Sequence, residues 1–198
     1  MKRLLLPVIL LMAIGCKQEA PTLDVLTYVD PMIGTGFHGH TYPGVTLPFG
    51  AVQLSPDTRI NGWDACSGYH ASDTTILGFS HTHLSGTGIG DLGDVLILPY
   101  ADDSAMAPVA TFRHEQEEAH PGYYQVRFDN FPVTAELTTT DHVGYHRYTW
   151  DQGVTPRILL DLSHSLHEMW GRKSIADSLE IIDSQTIRGM RQSTGWAY

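Results

Sequence analysis

Cysteine is scarce in this 198-residue chain, which contains only Cys16 and Cys66. A fold held together by several disulfides is therefore excluded, and side-chain packing must supply the stability. Basic residues are also few, since 12 lysines and arginines stand against 22 acidic residues and give a formal net charge of −10. An acidic chain is a poor partner for nucleic acid or for an anionic membrane surface, so we predict no nucleic-acid partner.

A long apolar run is missing as well, because the run at residues 4–14 is too short to cross a bilayer. It follows a short basic head and leads through small residues to Cys16, a pattern typical of bacterial lipoprotein signal peptides. We therefore predict a signal peptide over residues 1–16, lipid on Cys16 and a polar tether over residues 17–26. A simple secretory signal is the alternative. Both place the protein outside the cytoplasm, and the lipid version places it in the periplasm or at the outer membrane, with the lipid anchor as its only membrane contact.

Helical periodicity is rare in the rest of the chain. Glycine and proline recur too often between residues 30 and 93 for a long helix, and they indicate loops between short strands. From residue 121 onward, apolar and polar residues alternate with turn residues at intervals of roughly eight to twelve, the spacing of an antiparallel sandwich. We predict a mainly β fold, an antiparallel β-sandwich over residues 27–198, in which Tyr124, Val126 and Phe128 face the core.

Individual elements can also be predicted. Strands are expected at residues 51–55, 95–99, 133–140, 144–150 and 157–162, with a hairpin formed by residues 179–182 and 186–190. The near-continuous apolar run at 157–162 predicts a strand covered on both faces. Residues 167–177 are the one short stretch expected to form helix, and the charged run at 114–118 is expected to be a solvated surface or turn.

Histidine and aromatic residues concentrate near the start of the domain. Nine of the eleven histidines lie between His38 and His146, and the densest clusters lie within residues 34–93. A sugar site needs a flat aromatic face for the C–H side of the ring and planar polar groups for neighbouring hydroxyls. The adjacent Trp63 and Asp64 meet that need. Phe37 could form a second aromatic wall or pin its loop to the core.

Two His-x-His pairs occur, His38 with His40 and His81 with His83. In an extended chain each pair would point to one side, as metal ligands do. No carboxylate lies at the expected next spacing, and histidines that hydrogen-bond to loops or substrate are commoner, so we predict no metal site in this chain. A His-ligated metalloenzyme stays open as an alternative, and it would bind zinc or iron.

Several longer blocks resemble the calcium-dependent α-mannosidases of glycoside hydrolase family 92. The blocks are 28–36 (YVDPMIGTG), 42–50 (YPGVTLPFG), 53–58 (QLSPDT), 62–70 (GWDACSGYH), 78–88 (GFSHTHLSGTG), 114–115 (HE), 121–124 (PGYY), 144–148 (GYHRY) and 188–191 (RGMR). The resemblance covers almost the whole chain after the predicted signal peptide.

The resemblance implies the N-terminal β-sandwich domain of a two-domain, exo-acting, inverting α-mannosidase that removes mannose from mannose-terminated glycans. In such enzymes this domain packs on a larger (α/α)6 catalytic domain, and the active site lies between them. The catalytic acid, the base and most calcium ligands belong to the helical domain, so we nominate no catalytic residue here. We expect the chain to be C-terminally incomplete and inactive alone.

The same resemblance, together with the local chemistry, indicates which side chains contact the glycan. Trp63 and Asp64 are expected to contact the terminal sugar, with Phe37, His38, His81 and His83 lining the mouth of the site. The alternative from another functional class is a non-catalytic, lipid-anchored, lectin-like module that holds glycan for other proteins.

Overall fold

The computed structural model describes residues 23–101, 107–166 and 173–195. The predicted signal peptide with Cys16 and most of the predicted tether lie outside the described residues. Two short 3-10 helices occur, at Val25–Tyr28 and Trp63–Ala65. The strands are β1 (Val45–Thr46), β2 (Gln53–Asp57), β3 (Thr75–Ile76), β4 (Gly78–Ser80), β5 (Leu96–Tyr100), β6 (Ala110–His120), β7 (Tyr123–Phe128), β8 (Val133–Thr139), β9 (Gly144–Trp150), β10 (Arg157–Asp161), β11 (Ser174–Ile181) and β12 (Ile187–Ser193). Within these ranges there is no helix with the length and apolar character needed to cross a bilayer.

The strands form two five-stranded antiparallel sheets and a two-stranded ribbon. The first sheet has the order β1-β2-β4-β5-β10, the second has the order β3-β6-β7-β8-β9, and β11 pairs with β12. The predicted antiparallel β-sandwich is thereby confirmed. Strand β7 shows why the sheets stack, because Tyr124, Val126 and Phe128 are buried while the residues between them are partly exposed. Each fully buried side chain of this kind contributes about 1.5–3 kcal/mol relative to exposure.

The core lies between the two sheets. Phe79 of β4 is fully buried and its ring lies 6.2 Å from that of Phe128 on β7, in a stacked arrangement. The predicted segments 51–55, 95–99, 133–140 and 144–150 correspond to β2, β5, β8 and β9. The predicted hairpin is confirmed as β11–β12, in which Ile181 opposes Ile187.

The predicted helix over residues 167–177 is wrong where the structure describes it. Residues 174–177 belong to β11, while 167–172 lie outside the described residues. Strand β11 pairs along its length with β12, so the ribbon satisfies its backbone hydrogen bonds. Pairing with β12 therefore determined the conformation of residues 174–177, against the weak helical tendency of their sequence.

The strand predicted at residues 157–162 is confirmed as β10, but its coverage on both faces is incomplete. Among the described strands, β10 pairs only with β5 and is therefore an edge strand. Leu159 packs against the core, whereas Ile158 on the opposite face is 57% exposed. The face opposite the core is therefore only partly covered, since Leu160 on it is partly buried and lines a cavity together with residues of the β11–β12 ribbon.

The charged run at 114–118 lies in β6, and the expected solvated surface is found at His114, Glu115 and Glu118, which are exposed, but not at Glu117. The register of β6 against β7 shifts between Phe112 and Glu117, and such an irregularity changes which side chains face the core. The Glu117 side chain is only 3% exposed. It accepts hydrogen bonds from the hydroxyls of Tyr69 at 2.9 Å and Tyr124 at 2.6 Å, and it lies 2.8 Å from His114 Nδ1.

Replacing this buried acceptor should destabilise the fold. In Glu117→Ala, the hydroxyls of Tyr69 and Tyr124 lose their common acceptor, and we expect a loss of about 2–4 kcal/mol in the free energy of unfolding. Urea denaturation measures it. The matched control is Glu118→Ala, because Glu118 is 51% exposed and pairs with the exposed His120, so the change should stay within about 0.5 kcal/mol. Equal midpoints for the two variants would contradict this account of Glu117.

Candidate functional site

Trp63 is exposed to solvent and is held in a fixed orientation by its neighbours. Trp63 opens the 3-10 turn Trp63–Ala65 immediately after Gly62, whose φ of 84° suits glycine. The indole N–H donates to the carbonyl oxygen of Gly88 at 2.9 Å, which ties the ring to a second loop. The residue is nevertheless 55% exposed, so a ring of fixed orientation faces solvent.

Two histidines meet the adjacent carboxylate. Oδ1 of Asp64 lies 2.7 Å from His38 Nδ1 and 2.9 Å from His40 Nε2. The hydrogen bonds from His38 and then His40 hold the pKa of Asp64 below its usual value. The Trp63 ring contacts both imidazoles, with ring centroids 5.0 Å from His38 and 4.5 Å from His40. We call these four residues, His38, His40, Trp63 and Asp64, the tryptophan–histidine cluster.

The backbone that carries the two histidines is unusual. Phe37 and His40 adopt positive φ angles of 50° and 53°, a region that non-glycine residues rarely occupy. Gly39 between them is required because a Cβ there would lie 2.1 Å from the carbonyl oxygen of Gly34. The carbonyl oxygen of Phe37 lies 3.1 Å from His70 Nε2, which anchors the loop from outside the cluster.

Phe37 was expected either to form a second aromatic wall or to pin its loop. The side chain protrudes, since the residue is 89% exposed. A pinning role is therefore wrong, and Phe37 remains available as a wall.

His81 and His83 are placed differently from His38. His83 has a side chain with no exposed surface, and it lies 2.7 Å from Asp57 Oδ1 and 2.7 Å from the carbonyl oxygen of Gln53. His81 is partly buried and has its own partners. In the described part of the chain, neither shares a hydrogen bond or ring contact with Trp63 or Asp64. The structure thus brings Trp63, Asp64 and His38 together, whereas His83 is buried and His81 partly buried among other partners.

The partners of His81 define a chain of hydrogen bonds. His81 Nδ1 lies 2.7 Å from the carbonyl oxygen of Val95, so this nitrogen must donate, and Nε2 must accept. His146 Nε2, 3.0 Å away, is then the donor to His81, which leaves His146 Nδ1 to accept from the Tyr148 hydroxyl at 2.6 Å. Both rings are neutral in this arrangement. Burial, together with the proximity of His81, lowers the pKa of His146 to about 3, and burial lowers the pKa of His81 as well.

Asp57 is the acceptor that holds His83. It is fully buried, and its two carboxylate oxygens lie 2.7 Å from His83 Nε2 and 2.7 Å from His164 Nε2. Burial opposes ionisation, but attraction to His83 and the hydrogen bonds from both histidines outweigh it, so the pKa of Asp57 lies well below its usual value. Because Asp57 has no access to solvent, its carboxylate serves to hold the fold together and cannot contact a ligand.

Cys66 follows the 3-10 turn and is buried. Burial raises the pKa of its thiol, which donates to the carbonyl oxygen of Trp63. A cysteine nucleophile needs the thiolate, so this residue supports the loop by packing and has no reactive character.

Sequence reasoning missed one member of the cluster and one residue that supports it. His40 was noted only as a member of a His-x-His pair, and Gly88, which accepts from the Trp63 indole, only within the block 78–88. The pairing of His38 with His40 did signal that both rings point the same way. Nothing in the spacing indicated that their common partner lies more than twenty residues away, at Asp64.

Comparison with known proteins identifies the family of this domain. Residues 28–198 match the glycosyl hydrolase family 92 N-terminal domain. The chain belongs to this family. As a family 92 N-terminal domain, it carries the tryptophan–histidine cluster within the matched region.

Several relatives of the family 92 domain are similar in sequence and structure. The chain is 30% identical over 156 residues to a protein of Arthroderma benhamiae called an uncharacterized secreted glycosidase, covering 71% of this chain and 20% of that protein. A family 92 α-mannosidase of Bacteroides thetaiotaomicron, solved with mannoimidazole, superposes with a TM-score of 0.80 at 36% identity, covering 86% of this chain and 23% of its own. An inverting family 92 mannosidase of the same bacterium gives a TM-score of 0.70 at 27% identity, covering 89% and 24%. The chain thus spans about a fifth to a quarter of these relatives.

Calcium is the ion implied by the family 92 resemblance, and the tryptophan–histidine cluster does not fit it. Among them, the group whose possible ligand atoms lie within 4.8 Å of one another is His38, His40 and Asp64. Calcium takes six to eight oxygen ligands, whereas two of these three ligand atoms are imidazole nitrogens. No calcium site can therefore be built from this cluster.

The buried histidines predict acid sensitivity of this family 92 domain. The pKa of His146 is about 3 in the folded state, whereas an unperturbed histidine has a pKa of 6.5. Between these two pH values the imidazole is protonated in the unfolded chain but neutral in the folded one. Stability should be complete above about pH 6.5 and fall as the pH drops toward 3, by up to about 1.4 kcal/mol per pH unit for each such group. His81 acts in the same direction.

Urea denaturation between pH 8 and pH 4 measures this effect. A His146→Gln variant, which cannot titrate, should show a shallower decline between about pH 6.5 and pH 4. Asp57 cannot imitate the result in that window, because its lowered pKa removes stability only below about pH 4. A slope that the substitution leaves unchanged would contradict the assignment.

Proposed function

We propose that this chain is the substrate-shaping N-terminal domain of an exo-acting, inverting α-mannosidase that removes mannose from mannose-terminated glycans. The proposal draws support from its family and from solved relatives that are named as mannosidases, one of them inverting. The (α/α)6 domain of the same protein would pack beside it and supply the catalytic carboxyls and calcium. The protein would be exported and lipid-anchored through Cys16, and a relative named as secreted is consistent with export.

The observation that carries the proposal is the exposed Trp63 ring next to Asp64. The ring offers an apolar face of fixed orientation to the C–H side of a sugar. Oδ1 of Asp64 is occupied by two histidines, while Oδ2 has no donor among the residues that the structure describes. That oxygen is available to accept from a sugar hydroxyl. His38, with a side chain 66% exposed, lies beside it.

The same geometry argues that the general acid comes from elsewhere. Inverting hydrolysis needs one protonated carboxyl to donate to the leaving oxygen and a second carboxylate to activate water. The lowered pKa of Asp64 keeps this group ionised, so it cannot be the proton donor. The cluster binds and orients the sugar ring, and it does not by itself break the glycosidic bond.

Removing the aromatic face should weaken catalysis by the full-length protein. We expect Trp63→Ala to lower kcat/KM for an α-mannoside by roughly 30-fold or more, because the ring contact is lost in the substrate complex and in the transition state. Tyr145→Ala is the matched control, since Tyr145 is also an aromatic residue, 54% exposed, but it lies on β9 and contacts no cluster residue. It should stay within about twofold. Equal losses in both variants would count against the assigned site.

The division of labour between domains gives a second test. The full-length protein should release mannose whose first-formed anomer is β, as followed by proton NMR, whereas a purified chain of residues 17–198 should release none. Mannose release by the isolated chain would overturn the view that the catalytic acid lies outside it.

The lectin-like alternative is favoured by one feature only, the high exposure of Trp63 and Phe37 on neighbouring loops. Isothermal titration of residues 17–198 with an α-mannoside separates the two functions. If the chain carries only half of a site that it shares with a second domain, it should bind the α-mannoside weakly. A complete lectin site should bind it with a measurable heat of association.

A further inference from the structure

The tryptophan–histidine cluster has the donor set of a transition-metal site. His38 Nδ1 and His40 Nε2 both converge on Asp64 Oδ1, and one ligand atom from each residue lies within 4.8 Å of the others. Two imidazoles and one carboxylate are ligands that zinc and related ions prefer. The fold supplies the carboxylate that the sequence spacing lacks, since Asp64 follows His40 by 24 residues.

The spacing of the donors suits an ion of this size. Zinc binds nitrogen and carboxylate oxygen at about 2.0–2.2 Å, which separates tetrahedral ligands by about 3.4 Å. The two nitrogen–oxygen distances of 2.7 Å and 2.9 Å are hydrogen-bonded distances. An outward movement of several tenths of an ångström would therefore admit an ion between the three atoms.

The surroundings hold the donors in place before any ion arrives. His40 has a side chain only 4% exposed and sits in a positive-φ conformation, and Gly39 beside it lies tightly against Gly34. Trp63 contacts both rings and is itself fixed by its bond to Gly88. A site that is preorganised in this way needs little rearrangement on binding.

Access and charge favour an ion with an open coordination position. The side chain of His38 is 66% exposed, which leaves a path from solvent to the cluster. Asp64 contributes the negative charge that partly neutralises a divalent cation. Three protein ligands would leave a fourth position open to water or to a ligand.

We propose that His38 Nδ1, His40 Nε2 and a carboxylate oxygen of Asp64 bind one divalent transition-metal ion of the zinc class. In the metal-free protein, both nitrogens donate a proton to Asp64. Binding requires a lone pair on each nitrogen, so in each ring the proton moves to the other nitrogen, His38 Nε2 and His40 Nδ1. The proposal stands on these three side chains and does not rest on the glycosidase function.

Metal analysis of the full-length protein tests the site without any glycan. The protein is stripped with chelator and titrated with ZnCl2 in a calorimeter, in parallel with CaCl2 on the same protein. The variants are His38→Ala, His40→Gln and Asp64→Asn, and His120→Ala serves as the matched histidine control, because His120 pairs with Glu118 on β6, away from the cluster. Circular dichroism melting verifies folding, and the exposed His38 gives a variant that should fold even if a buried one does not.

We expect one zinc equivalent that is lost or weakened about 100-fold in His38→Ala and Asp64→Asn, and unchanged in His120→Ala. The parallel calcium titration should be the same for the wild-type protein, His38→Ala and Asp64→Asn. Absence of stoichiometric zinc, or zinc binding that survives His38→Ala and Asp64→Asn in the folded protein, would overturn the proposal. Neither result depends on mannoside hydrolysis, so the metal site and the proposed function can fail separately.

Discussion

The buried carboxylate of Asp57, at the end of strand β2, holds together loops that follow several strands of the sandwich. Asp57 accepts from His83, which follows β4, and from His164, which follows β10, so one group joins three segments that are distant in sequence. Gly68 packs so closely against it that a Cβ would lie 2.0 Å from Asp57 Oδ1. Removing one partner of such a buried pair typically lowers the free energy of unfolding by about 3–5 kcal/mol, because the remaining charge is buried without a partner or water.

The loop that carries Trp63 depends on this arrangement. Gly68 lies in the same loop as Trp63, and its carbonyl oxygen accepts a hydrogen bond from the backbone N–H of Thr58, the residue after Asp57. Trp63 is then fixed by Gly88 on one side and by the rings of His38 and His40 on the other. An aromatic face can therefore be exposed and rigid together, which lowers the entropy cost of binding a ligand.

Much of the fold was predictable because its signals are local. Alternation along β7 indicated a half-buried strand, and the turn residues near 183–185 indicated the β11–β12 hairpin. The failures share a cause: Glu117 reads as a surface charge, and only the register shift against β7 and the hydroxyls of Tyr69 and Tyr124 make its burial favourable. The sequence of strand β10 predicts cover on both faces, but Ile158 is exposed, because hydropathy alone does not report how completely a neighbouring layer covers a strand.

The candidate site shows the same division. The sequence by itself determined the chemistry that this region can perform, since Trp63 and Asp64 are adjacent and His38 and His40 alternate. Tertiary structure alone decided which histidines join them. His38 and His40 reach Asp64 because Gly39 permits a close backbone approach and His40 accepts a left-handed conformation, whereas His81 and His83 turn inward to Val95, His146 and Asp57. Partner choice for an imidazole depends on which acceptor lies within about 3 Å, and that distance is set by packing between segments far apart in the chain.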